Sequence, residues 1–269
     1  MHANCWKTQA SVTSLAPTMI ESGAPAATED AVLGGRLRLR QPRKGHRVGH
    51  DAILLAAATP AFPGEQAIEL GAGVGAAGLA LAARVARLKM TLVEIDPGLA
   101  QLVAENAKLN RLDDRVRVLA GDVARVELAA GSADRVLMNP PFNNATRQNV
   151  SPDASRRLAH VAADDTLAVW TGAAARLLRA GGTLTMIWRA DGLAGVLAAL
   201  ATCFGSVAVL PVHPRADAPA IRVLVRAEKG GRAPLALYPP LCLNDDDGKP
   251  SRAAEAVLRD GETLVLANV

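Results

Sequence analysis

The sequence predicts an α/β fold with a mainly parallel, doubly wound sheet and an antiparallel strand toward the C-terminus. Two observations predict it. From residue 66 onward, short apolar runs of strand length alternate with longer Ala- and Leu-rich stretches of helix length. Repeated βα units of this kind imply a parallel sheet covered by helices on both faces. Later, Val207 to Val212 and Ile221 to Ala227 follow each other with only a short link. A parallel pair needs a long crossover, so these two strands are expected to be antiparallel.

Residues 1–30 are rich in Ala, Ser, Thr and Pro without periodicity and read as a disordered leader, with Met19 as a second start inside it. Residues 31–60 read as a basic hairpin and helix. Arg and Leu alternate over 36–40, as in a strand with one basic face, and Asp51 is placed to cap the apolar run that ends at Ala58. The remainder, 61–269, reads as the main domain with a C-terminal extension. Its strands are expected at Ala67–Leu70, Met90–Val93, Val116–Leu119, Arg135–Met138 and Thr183–Trp188. Its helices are expected at Val74–Arg87, from Pro97 to about Leu109, at Leu167–Arg179 ended by Gly181-Gly182, and at Leu193–Cys203. The tail from Leu235 holds the turn Asp245-Asp246-Asp247-Gly248 and a short helix.

Composition excludes several classes. Half of the 269 residues are hydrophobic, enough for one sizeable core. The three cysteines, Cys5, Cys203 and Cys242, form neither a disulfide framework nor a Cys-x-x-Cys knuckle, and the histidines lack ligand spacing. No metal site and a reducing, cytoplasmic setting are therefore expected. No apolar run reaches the roughly 18 residues that span a bilayer, so no membrane partner is expected. The net charge of +4 and pI of about 9.2 lean toward an acidic partner.

In such a sheet, ligands bind outside the carboxyl ends of the strands, so the loops after the first four strands carry the candidate chemistry. The first reads Glu69-Leu70-Gly71-Ala72-Gly73-Val74-Gly75. Its glycines permit a tight turn and close backbone approach without naming the ligand. Glu94, 21 residues after Gly73 and ending the second strand, can accept hydrogen bonds from ribose hydroxyls, which dinucleotides and S-adenosylmethionine (SAM) share. Glu69 discriminates between them. An acid before the glycines repels a pyrophosphate but suits the α-ammonium group of SAM. Asp122, after the third strand, is placed for an adenine amino group, and Ile95 and Val123 beside these acids are expected on the same surface.

Asn139-Pro140-Pro141-Phe142 follows the fourth strand. An amino nitrogen conjugated to a ring is a poor nucleophile because its lone pair is delocalised. The Asn139 side-chain oxygen and the Pro140 carbonyl can each accept one amino hydrogen and aim the lone pair at a methyl donor. The prolines fix φ and hold these acceptors, which is catalysis by positioning. Phe142 offers a face for stacking a planar base, worth roughly 1–3 kcal/mol. Upstream, Arg36, Arg38, Arg40, Arg43, Lys44 and Arg47 form a basic segment suited to phosphate neutralisation, as in RNA binding. A charged edge strand that resists aggregation would look the same.

Glu69 to Gly75 and Asn139 to Phe142 resemble the first and fourth motifs of Rossmann-like, SAM-dependent methyltransferases of adenine, guanine or protein-glutamine amino groups. Gly45 to Ala56 resembles, more narrowly, the segment before the first motif in bacterial tRNA (valine) adenine-N6 methyltransferases, as do the Arg-rich hairpin and the tail after Ala233. That resemblance implies a SAM cofactor, a tRNA substrate methylated at adenine N6, and a place for Asp51 near the cofactor. One stretch departs from it: Arg157-Leu158-Ala159-His160-Val161 keeps the family's histidine but shifts or loses its acid. Protein-glutamine N5 and ribosomal RNA guanine-N2 methylation remain alternatives; Phe142, where glutamine-methylating relatives usually carry Tyr, leans toward nucleic acid. The candidate catalytic residues are thus Asn139, Pro140, Pro141 and Phe142. The candidate cofactor residues are Asp51, Glu69, Gly71, Gly73, Gly75, Glu94, Ile95, Asp122, Val123 and again Asn139.

Overall fold

The structure is a computed structural model that describes residues 27–43, 47–141 and 152–268, with the backbone alone over 152–164. The leader up to residue 26, Lys44 and Phe142 lie outside the described residues.

The hairpin comes first. Strands β1 (Ala27–Val32) and β2 (Leu37–Pro42) pair antiparallel. β2 buries Leu37, Leu39 and Gln41 and turns Arg38 and Arg40 outward, as the Arg/Leu alternation predicts. β1 begins within the stretch read as leader, so residues 27–30 are strand. Glu29 and Asp30 give it no apolar face to reveal it in the sequence. Helix α1 (His50–Ala58) follows, capped by Gly49. Asp51 is not the cap; it sits in the first turn, where its carboxylate takes an ion pair instead.

The parallel core is β3 (Gln66–Leu70), α2 (Ala76–Arg84), β4 (Lys89–Glu94), α3 (Pro97–Leu109), β5 (Val116–Ala120) and β6 (Ala133–Met138). α3 starts as Pro97 allows, with Asp96 accepting from the Gly98 and Leu99 amides. α2 is shorter than the expected Val74–Arg87. Its start waits for Gly75, a left-handed cap at φ 86°. Its end comes at Val85, which is already extended.

Then come α4 (Pro152–Leu177), β7 (Leu178–Arg189), α5 (Leu193–Leu200), β8 (Phe204–His213) and β9 (Arg222–Lys229). The tail holds β10 (Ala236–Leu237), β11 (Leu241–Cys242) and α6 (Arg252–Leu258). α4 starts well before the expected Leu167, and it stops at Leu177 without a glycine. Gly181 and Gly182 lie instead in an irregularity of β7. The register to β6 shifts between Ala133↔Leu178 and Arg135↔Thr183, and Gly181 takes φ 72°.

The main sheet runs β10-β8-β9-β7-β6-β3-β4-β5, with β11 also on β8. From β7 through β5 it is parallel, and β9 is antiparallel to both β7 and β8. Two cores flank it. One joins α1, α2 and the hairpin leucines to Leu137, Ile187 and Leu224. The other packs α4 and α5 against Val136, Met138, Leu184 and Met186. Among the described residues no helix is long and apolar enough to cross a membrane.

Candidate active site

The carboxyl ends of β3 and β6 lie side by side, because Leu70 registers with Met138. The glycine loop and Asn139 therefore start from neighbouring points on one sheet edge. Between them opens a cavity of about 480 Å³, within the usual range for small-molecule sites. Glu69, Gly71 and Gly73 line one side, Asn139 another, and the segment from Arg47 to Ala52 with Val212, Ile221, Arg222 and Leu243 completes the wall.

The turn is held from below. The Gly71 and Ala72 amides both donate to the Val93 carbonyl at 2.9 Å. The Gly73 amide donates to Glu94 Oε2 at 2.7 Å, and the Asp96 amide donates to Glu94 Oε1 at 3.0 Å. Glu94 is only 7% exposed and organises the loop as well as facing it. Gly71 has φ 70°, and a side chain there would strike the Trp170 indole of α4 at 2.3 Å. Gly73 has φ 58° and none of the described residues within 4 Å of where a Cβ would project. Backbone at this point borders open space, as a ligand cradle requires.

Glu69 is buried and accepts the Gly78 amide at 2.7 Å, so it caps the first turn of α2, whose own N-cap glycine has no side chain. Burial pushes its carboxyl up to about 8, the Glu94 charge adds to that rise, and the Gly78 bond opposes it. The carboxyl therefore keeps its proton at neutral pH, and a cation bound beside it would favour its ionised form.

Asn139 supplies the complementary feature. Its Oδ1 is buried and has no hydrogen-bond partner among the described residues. An orphaned buried acceptor is costly unless a ligand satisfies it, and this one lines the cavity. Pro140 behind it is buried.

The other expected residues divide. Asp51 lines the cavity and pairs with Arg222 Nε at 2.9 Å. Ile95 is 66% exposed beside Glu94, an apolar surface at the end of β4. Asp122 is exposed and closes its own turn by accepting the Ala124 amide at 2.9 Å, while Val123 is buried. Of the basic residues, Arg47 reaches the cavity and pairs with Asp30 at 2.7 Å. Arg38 and Arg40 share the exposed face of β2, while Arg36 is exposed but precedes the strand in a helical conformation, so the three do not form one strand face. They are not free cations, however: Arg38 and Arg40 both pair with Glu29, Arg40 also with Glu105 at 3.4 Å, and Arg36 donates to the Asp260 carbonyl. Arg43 is exposed.

Sequence reasoning missed Arg222 and Trp170. Arg222 reaches Asp51 across 171 positions and carries no local signal. Trp170 lies on a helical face and reads as core. Among the described residues no group of three or more His, Cys, Asp or Glu is placed to hold a metal.

A model of the methyltransferase small domain matches residues 47–213, more than half of the chain. The chain belongs to the methyltransferase small domain family. Among similar proteins of this kind, the tRNA1(Val) (adenine(37)-N6)-methyltransferase of Tolumonas auensis is 29% identical over 153 residues, 56% of this chain and 63% of that protein. The protein of the same name from Dickeya chrysanthemi is 27% identical over 80% of this chain and 87% of its own length. The matched stretch thus spans less than two thirds of the first relative's length. A solved structure described as a predicted O-methyltransferase from Agrobacterium tumefaciens superposes with a TM-score of 0.67 at 27% identity, covering 80% of this chain and 98% of that one.

Proposed function

We propose that the protein is a SAM-dependent methyltransferase that modifies an exocyclic amino nitrogen of a base in RNA, with adenine N6 in tRNA as the specific substrate. The observation that carries this reading is the buried Asn139 Oδ1, unpartnered among the described residues, in the wall it shares with the glycine loop. An acceptor atom in that place suits a substrate that brings N–H groups, and a hydroxyl acceptor needs a base that Asn139 cannot be. This favours an amino acceptor over the oxygen acceptor named for the Agrobacterium protein. The relatives named as tRNA adenine-N6 methyltransferases support the finer assignment.

The residues present fit the cofactor. Open space at Gly73, a buried acid at Glu69, Glu94 held at a strand end and an exposed Ile95 supply a cradle, a partner for an ammonium group, a ribose acceptor and an apolar face. When bound, SAM supplies a methyl group on sulfonium, an excellent leaving group, so no strong base is needed. Asn139 Oδ1 and the Pro140 carbonyl accept the amino hydrogens and orient the nitrogen. Pro140 and Pro141 hold both acceptors rigid, and Phe142 stacks on the base. Asp51, fixed by Arg222, flanks the cofactor. Arg36, Arg38, Arg40, Arg43, Lys44 and Arg47 form the RNA-facing segment, and the setting is the cytoplasm.

A second reading, protein-glutamine methylation, draws on the ion pairs that Glu29 makes with Arg38 and Arg40, which reduce the charge available to a phosphate backbone. Mass spectrometry of modified nucleosides in RNA from a deletion strain separates the two. Loss of N6-methyladenosine from tRNA is expected. An unchanged nucleoside profile, with a release factor or other protein losing methylglutamine, would overturn the RNA assignment.

A further inference from the structure

Two asparagines one turn apart, Asn106 in α3 and Asn110 at its C-cap, close the outer edge of β2 as a third strand would. Asn106 Oδ1 accepts the Arg40 amide at 2.7 Å, and its Nδ2 donates to the Arg40 carbonyl at 3.0 Å. Asn110 repeats the pattern on Arg38, accepting at 2.9 Å and donating at 2.7 Å. The remaining bonds of the two differ. Asn110 Nδ2 donates back to the Asn106 carbonyl inside the helix, at 2.7 Å. Asn106 Nδ2 donates to the Val74 carbonyl at 3.0 Å, in the middle of the Gly73-Val74-Gly75 turn. Asn106 has no exposed surface, and Val74 lines the cavity.

The hairpin has a second tie to the same cavity. Gln41 Oε1 accepts the Val48 amide at 2.9 Å, and its Nε2 donates to Asp30 at 2.8 Å. Arg47 and Val48 both form cavity wall. A buried amide with every group engaged cannot turn to water if one partner moves. Asn106 therefore makes the β2 backbone and the glycine turn move together.

We propose that Asn106 is a positioning residue of the cofactor site, locking the Gly73–Gly75 turn to the basic hairpin through the Val74 carbonyl. This rests on the methyl-transfer reading of the cavity. Asn106 need touch no reacting atom; it fixes the peptide groups on which the cofactor would rest.

The test compares Asn106→Ser with Asn110→Ser in the full-length protein, with S-adenosylhomocysteine as the calorimetric probe. Both variants lose one clamp on β2, but only the first releases the turn. Asn106→Ser is expected to weaken probe binding by about tenfold, and Asn110→Ser by less than about threefold, even where their melting temperatures fall equally. In turnover the loss falls on KM for SAM and not on kcat. Equal probe affinities in the two variants would overturn the proposal and leave Asn106 a purely structural residue. If Asn106→Ser does not fold, Asn106→Asp replaces it under the same criteria, with Asn110→Asp as its control; each keeps the acceptor for a β2 amide and loses the donor to a β2 carbonyl, but only Asn106→Asp also loses the donor to Val74. A wild-type protein that binds no S-adenosylhomocysteine would overturn the methyltransferase reading and this proposal with it. That outcome is distinct from equal affinities in two variants of a protein that does bind.

Discussion

Asn139 and Glu69 face one cavity with opposite needs, and each makes its own prediction. Asn139 offers an acceptor that none of the described residues satisfies. Asn139→Ala should slow methyl transfer by roughly 2–4 kcal/mol of barrier, the usual cost of one deleted transition-state hydrogen bond, and leave SAM affinity close to that of the wild type. A collapse of SAM binding in calorimetry would make it a cofactor residue instead. Glu69 is a carboxyl raised from 4.5 to about 8 by burial. The folded protein then holds a proton that the unfolded chain has released, so the stability Glu69 contributes is full below pH 4.5 and lost as pH rises through about 8. Glu69→Gln keeps an acceptor for the Gly78 amide and cannot ionise. Its melting temperature, without ligand, should change less than that of the wild type between about pH 6 and about pH 9. Parallel curves would show that Glu69 is already ionised in the folded protein. Both residues were legible because each stands directly beside a strand end, where residue type and position coincide. Their electrostatic states were not, because burial is a property of the assembled sheet.

At the scale of elements, the packing of α4 on the glycine loop carries a prediction. Gly71→Ala would place a methyl 2.3 Å from the Trp170 indole, at a backbone φ of 70°. A loss of roughly 1–3 kcal/mol is expected from strain and overpacking, read as a lower urea midpoint. Gly71→Ala with Trp170→Leu should recover part of it, and no recovery would place the whole cost in the backbone. The parallel strands were readable because each is a short apolar run, the first three closed by glycine or an acid and the fourth by Asn139-Pro140. α4 was only half readable: in its first half Ala154, Leu158, Val161 and Ala162 make only a weak apolar stripe among Arg156, Arg157, Asp164 and Asp165. The glycine pair at 181–182 misled for a physical reason. A left-handed glycine serves a strand irregularity as well as a helix end, and local sequence does not say which.

For the whole molecule, the question is how much positive charge the hairpin presents. Replacing Arg36, Arg38 and Arg40 with Ala should weaken tRNA binding and flatten its salt dependence by about one slope unit per lost phosphate contact. Glu29 adds a test in the opposite direction. It pairs with Arg38 and Arg40 on the same face, so Glu29→Gln should tighten tRNA binding at low salt and steepen the slope. If neither change moves the affinity of a protein that does bind tRNA, the nucleic acid lies on another surface. The basic face was visible in the alternation of Arg36 to Arg40. Its partial neutralisation was not, because Glu105 joins it from 65 positions away and Glu29 from a strand the sequence did not announce.

The asparagine pair at the end of α3 also bears on how the protein behaves in concentrated solution. A two-stranded ribbon ordinarily has two open edges, and each is a template on which another chain can add a strand. Here β1 covers one side of β2, and the amides of Asn106 and Asn110 cover the other at Arg38 and Arg40. Only the β1 edge is left, and it carries Glu29 and Asp30, charges that disfavour stacking of a second copy. Removing both amides with Asn106→Ala and Asn110→Ala would bare a strand whose inward face is Leu37 and Leu39. Light scattering of that double variant should show association that grows with protein concentration, where the wild type stays dispersed.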